Sequence, residues 1–111
     1  LGALRDGTLE AAMRDGSVVM AWSPLSGGRI VTGEGLRPGL TVRLDELAEQ
    51  YTTDRTTIAL AFVLAHPSRP SAILGTQDPD RLVAATRALD VSLTRAEVYS
   101  LVEASDGARL P

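Results

Sequence analysis

Neither cysteine nor lysine occurs in this 111-residue chain, and histidine occurs once, as His66. The missing thiols remove disulfides, thiolate metal centres and cysteine nucleophiles together. One imidazole among scattered carboxylates offers no convincing ligand set for zinc or iron, so no metal is expected. All eleven basic residues are arginine, which excludes Schiff-base chemistry and any mechanism in which a lysine tunes a neighbour's pKa. A formal net charge of -3 makes the chain a poor candidate for wrapping nucleic acid. The longest apolar run, residues 58–65, falls far short of the ~20 residues of a membrane span, and no basic-then-apolar leader opens the sequence. The expectation is a soluble, cytoplasmic protein with no membrane partner. The first residue is Leu1 rather than methionine, which hints at a cleavage product or a partial chain.

What is present fits one folded unit. With 44% hydrophobic and 23% charged residues the composition is that of a globular chain, long enough for one modest core and too short for two domains. Residues 1–111 are therefore read as one domain or a piece of one.

The informative stretch is residues 18–30, Val-Val-Met-Ala-Trp-Ser-Pro-Leu-Ser-Gly-Gly-Arg-Ile. Residues 18–22 are apolar without alternation, which suits a strand covered on both faces, as in a parallel sheet flanked by helices. The run stops at Ser23, Pro24, Ser26, Gly27 and Gly28, which offer hydroxyls, a fixed φ and backbone amides that a ligand can approach closely. Residues 23–40 then hold five glycines and two prolines with no apolar period. They read as a long loop, and loops beyond roughly 12 to 15 residues are commonly functional.

On either side the helical period returns. Thr8 is placed to cap a short helix that Gly16 closes, with Leu9, Ala12 and Met13 on one face. Leu44, Leu47, Ala48 and Tyr51 form an inward stripe with Asp45, Glu46 and Glu49 facing out, which makes Tyr51 a packing residue rather than a proton donor. Asp54 caps a helix over residues 55–66 that is apolar almost all round, and His66 sits at its end as a cap rather than a catalyst. Residues 71–74 read as a second buried strand, again stopping at small polar residues, Gly75, Thr76 and Gln77. Asp78 caps the helix that follows, with Pro79 at its first position and Leu82, Ala85 and Leu89 inward. That helix start favours an anion. Arg81 in its first turn opposes the helix dipole, an arrangement more easily understood if it meets a phosphate, with an ion pair to Asp78 or Asp80 as the competing explanation. Thr94 and Glu97 have the spacing of a capping box for the last helix, with Leu93 and Val98 as a hydrophobic staple.

The order is helix, strand, glycine-rich loop, two helices, strand, helix, helix: an α/β chain of two parallel strands and about five helices, or two β/α units. Two strands leave both sheet edges open, so the unit looks incomplete by itself.

Residues 21–30, A-W-S-P-L-S-G-G-R-I, residues 54–67, and residues 73–81, I-L-G-T-Q-D-P-D-R, together resemble the C-terminal third of an aldo/keto reductase. The resemblance implies the seventh and eighth strands of a (β/α)8 TIM barrel with their helices and a C-terminal helix, spanning residues 1–111. It implies a nicotinamide dinucleotide, usually NADP, held at the strand ends. Ser23, Leu25, Ser26, Gly27 and Gly28 would lie along the pyrophosphate, and Gly75, Thr76, Gln77 and Arg81 around the adenosine 2′-phosphate. Many members carry lysine where Gly75 stands and Glu-Asn where Ala84 and Ala85 stand, so here selectivity for the 2′-phosphate falls mainly to Thr76 and Arg81. The family's catalytic Asp, Tyr, Lys and His come from earlier strands, and none can be assigned in this chain. The expected function is thus the cofactor-binding part of an NADP-dependent carbonyl reductase, inactive alone and completed by the missing strands or by self-association. The alternative is a non-catalytic nucleotide-binding or interaction module that oligomerises.

Overall fold

Two short strands run parallel through the middle of the chain's layout. β1 (Met20–Ala21) and β2 (Ser71–Ala72) pair Met20 with Ser71 and Ala21 with Ala72. The Ser71 and Ile73 amides donate to the carbonyls of Val19 and Ala21, each at 2.8 Å. The structure is a computed structural model that describes residues 1–110. Among these residues there are seven α-helices: α1 (Gly2–Arg5), α2 (Thr8–Asp15), α3 (Arg29–Thr32), α4 (Pro38–Gln50), α5 (Arg55–Leu64), α6 (Pro79–Ala85) and α7 (Arg95–Asp106). Two 3-10 turns, Ser26–Gly28 and Thr86–Asp90, run directly into α3 and out of α6.

The caps form where the residue types place them. The Asp54 carboxylate accepts the Thr57 amide at 2.8 Å and starts α5. Thr94 accepts the Glu97 amide at 3.2 Å while Glu97 accepts the Thr94 amide at 2.7 Å, which completes the capping box of α7. Gly16 ends α2 in the left-handed region at φ 70°. Ile30, Leu44, Leu47, Ala48, Ile58, Ala59 and Leu101 form one core shared by α3, α4, α5 and α7. The inward stripe of α4 and the all-round burial of α5 are as the periodicity predicts.

Four local features differ from that reading. The long loop is partly helical: its middle holds α3, and α4 begins at Pro38 because proline suits a first helical position. One turn is too short to show a period, yet Ile30 from it is buried in the core. At α2 the capping oxygen comes from Asp6, whose carboxylate accepts the Thr8 amide at 2.9 Å, so Thr8 is the first helical residue. In the α6 region Leu82 and Leu89 are exposed and Ala88 is buried. The tighter 3-10 winding from Thr86 onward shifts the phase of the helix and turns Ala88 inward in place of Leu89.

The fourth difference concerns the strands. Residues along both alternate, with Val19, Ala21, Ala72 and Leu74 half-buried on the helix side, where α5 packs on β2. Val18, Met20, Trp22 and Ile73 face the other way, Val18 and Trp22 each 81% exposed. The strands are covered on one face within this chain, not on two. The uniform apolar run suits double coverage, but the second cover is not supplied by these residues.

Candidate functional site

Parallel pairing brings the C-terminal ends of β1 and β2, and with them the turns at residues 23–28 and 75–81, to one end of the sheet on neighbouring strands. The first turn is held by unusual backbone geometry. Ser23 and Ser26 have left-handed φ of 49° and 52°, followed by Gly27 at 65° and Gly28 at 89°. Glycine takes this conformation freely, and each serine holds it at a cost of about 1–2 kcal/mol. The tightly wound chain is stapled from inside. The Ser26 amide donates to the Ser23 carbonyl at 3.0 Å, the Gly27 amide to Ser23 Oγ at 3.2 Å and the Gly28 amide to the Leu25 carbonyl at 3.0 Å.

Those three amides thus have partners within the turn. The groups left to meet a ligand are the Ser23 and Ser26 side chains and the open surface at Gly27 and Gly28, where an added Cβ would touch nothing within 4 Å. Leu25 is half-buried and packs against the core, so it anchors the turn. A further cation stands beside it. Arg29 Nε donates to the Ser26 carbonyl at 3.1 Å, which holds an exposed guanidinium over the turn. Its place directly after the two glycines is visible in the sequence, and its position beside the turn only in the fold.

In the second turn Gly75 is exposed, its φ is not in the left-handed region, and a Cβ there would meet nothing within 4 Å. The Asp78 amide donates to Thr76 Oγ1 at 3.2 Å, and Asp78 Oδ1 accepts the Asp80 amide at 2.9 Å to start α6. Gln77 and Arg81 are both exposed, the Arg81 side chain 77% accessible, with Nε 3.7 Å from Asp78 Oδ2. Of the two explanations for Arg81, the ion pair to Asp78 is present, loose and exposed.

The remaining candidates for proton chemistry are engaged structurally. The Tyr51 hydroxyl donates to Glu97 at 2.7 Å. That bond, then burial, raises the tyrosine pKa, the opposite of what a proton donor near neutral pH requires. His66 Nδ1 accepts the Ser68 amide at 3.1 Å and closes the turn after α5. No cluster of three or more His, Cys, Asp or Glu with metal-binding geometry exists among the described residues, and none of their helices is long and apolar enough to cross a membrane. Two surface depressions, of about 510 Å³ beside Asp45 and Arg55 and about 340 Å³ beside Leu64 and Leu89, include no residue of either turn.

Parallel strands with helices on one face and ligand-accessible turns at one end define part of a β/α barrel. The chain belongs to the aldo/keto reductase family, whose model matches residues 5–106. It is 34% identical over its whole length to a 6-dehydroglucose reductase of Novosphingobium aromaticivorans, of which it spans 37%. It is 32% identical, over 97% of its length, to the oxidoreductase YdhF of Escherichia coli K12, of which it spans 36%. Among solved structures, a thermostable aldo-keto reductase, Tm1743, crystallised with the inhibitor epalrestat, superposes with a TM-score of 0.78 at 26% identity. That match covers 92% of this chain and 35% of the other. The chain thus spans about a third of the length of the relatives it matches.

Proposed function

We propose that this chain is the nicotinamide-cofactor-binding part of a carbonyl reductase, and that residues 1–111 supply the seventh and eighth strands of the barrel, with their helices and the C-terminal helix. The observation that carries the reading is the parallel pairing of β1 with β2, which sets the turns at 23–28 and 75–81 side by side at the C-terminal end of the sheet. Ligands of β/α barrels bind at that end. Membership of a family of oxidoreductases supports the same reading.

The residues present fit an extended, doubly phosphorylated ligand. Ser23 and Ser26 would donate hydroxyl hydrogen bonds to the pyrophosphate, Gly27 and Gly28 would let it approach the backbone, and Arg29 would add a cation. Leu25 would hold the turn in register from the core side. At the second turn Gly75 leaves room, Thr76 and Gln77 donate, and Arg81 offers a forked donor to a 2′-phosphate, which suits NADP. When bound, the nicotinamide supplies a hydride to a carbonyl carbon; the residues of this chain orient the cofactor and contribute no assigned proton donor. Carbonyl reduction is accordingly absent from this part alone. Isothermal titration of the chain with NADPH tests the binding: a saturable isotherm supports it, and no heat of binding at millimolar cofactor refutes it.

The open side of the sheet favours a second component. Val18, Met20, Trp22 and Ile73 expose an apolar stripe of a kind that soluble proteins cover. The remaining barrel strands would cover it in a complete reductase, and another copy of the chain would do so in a self-associating module. Sedimentation velocity distinguishes these: a concentration-dependent dimer supports the module, and a monomer that binds NADPH supports the reductase part.

A further inference from the structure

The second turn holds one cation and two carboxylates, Arg81 against Asp78 and Asp80, and the chain has no lysine to offset them. We propose that Asp78 is a specificity-determining residue, competing with a 2′-phosphate for Arg81 and so admitting dinucleotides whose ribose carries a free 2′-hydroxyl. This inference rests on the reading of the second turn as the adenosine end of a cofactor site.

Asp78 has two contacts, and only one needs its charge. Its Oδ1 accepts the Asp80 amide at 2.9 Å, a capping bond that asparagine or serine makes equally well. Its Oδ2 lies 3.7 Å from Arg81 Nε. The capping bond therefore needs an oxygen and not a full charge, whereas the restraint on Arg81 needs the charge. A 2′-phosphate arriving beside Arg81 meets a carboxylate already drawing on the same guanidinium, and the like charges repel at close range. A 2′-hydroxyl meets no such opposition and offers a proton that a carboxylate oxygen accepts.

Thr76 does not tip the balance. Its Oγ1 already accepts the Asp78 amide at 3.2 Å, which leaves its hydroxyl proton to donate to either a phosphate or a ribose oxygen. Gly75 contributes no charge. Discrimination at this turn therefore depends on how Arg81 divides between Asp78 and the ligand. The side chains are 77% and 49% exposed, so the ion pair is screened and breakable, and its effect is a bias rather than a block.

The test measures binding of adenosine 2′,5′-bisphosphate and adenosine 5′-monophosphate by calorimetry, for the unaltered chain, Asp78→Asn and Asp78→Ser. Both replacements keep a capping oxygen, and circular dichroism verifies that the helix content is unchanged. The affinity ratio of bisphosphate to monophosphate is expected to rise about 1.5- to 5-fold in both variants, a change of the size exposed charge pairs produce. If the unaltered chain binds both nucleotides and neither variant shifts the ratio, the inference fails while the site reading stands. If the unaltered chain binds neither nucleotide at millimolar concentration, both fail.

Discussion

Tyr51 and Glu97, 46 residues apart in sequence, meet through a 2.7 Å hydrogen bond from the phenol to the carboxylate, with the Gln50 amide donating to the other carboxylate oxygen at 2.7 Å. The same carboxylate caps α7, so one buried side chain fixes the start of the last helix and ties it to the end of α4. No cation is hydrogen-bonded to it, and its charge is balanced by neutral donors.

This network makes stability depend on pH. Burial by itself raises the Glu97 pKa, but the Thr94 amide, the Tyr51 hydroxyl and the Gln50 amide outweigh it and hold the carboxyl below its ordinary value. A carboxyl lowered on folding contributes stability that is present in full above the unfolded value, about 4, and is lost as pH falls through the folded one. The urea midpoint is expected to fall as the pH is lowered from about 5 to 3, and to fall less in Glu97→Gln. At neutral pH that variant costs about 1–3 kcal/mol because Tyr51 loses a charged acceptor. Equal acid sensitivity of the two proteins would show that Glu97 is not the group responsible. At the alkaline end the raised Tyr51 pKa works in the opposite sense: its contribution is intact below about 10 and lost as pH rises through the folded value. Tyr51→Phe removes that loss.

Among the described residues Leu47 and Ile58 are the largest fully buried side chains, both in the shared core. Replacing either by alanine leaves a cavity and costs about 2–5 kcal/mol, read as a lower urea midpoint with an unchanged slope. A cost below about 1 kcal/mol would mean that this core is not tightly packed.

The glycines of the two turns are expected to behave differently. Gly27→Ala and Gly28→Ala force a Cβ into left-handed φ without a clash and cost about 1–2 kcal/mol each. Gly75→Ala meets neither strain nor contact and leaves the midpoint unchanged. Denaturation of the three variants side by side checks this, and an equal loss at Gly75 would contradict the conformation assigned to the second turn.

Arg81→Ala is expected to weaken NADPH about tenfold, the worth of a charge-assisted hydrogen bond, with little effect on NADH. The measurement is a pair of titrations on each protein. Equal losses for the two cofactors would show that Arg81 does not read the 2′-phosphate.

Local signals were legible in the sequence, and contacts between distant segments were not. The Thr94–Glu97 spacing announces the capping box, and Asp54 and Asp78 announce their helices, because a cap is decided within four residues. That Glu97 is also the acceptor for Tyr51 and Gln50 depends on how α7 lies on α4, which no spacing encodes. A single helical turn has no period to signal that Ile30 is buried, and 3-10 winding changes the phase that would put Leu89 inward. The apolar run at 18–22 marks a strand, but only the fold reveals that Val18, Met20 and Trp22 have no cover from this chain. At the candidate site the residue types at both turns pointed to phosphate, whereas the internal use of the Ser26, Gly27 and Gly28 amides and the position of Arg29 emerged from the backbone geometry.

Whether the two turns together hold a nicotinamide dinucleotide is decided by fluorescence titration of NADPH with the 111-residue chain. A saturable change in nicotinamide emission is expected, with a dissociation constant below the millimolar range, weakened by Arg81→Ala. Emission that stays unchanged at millimolar NADPH, with the chain verified as folded, would contradict it.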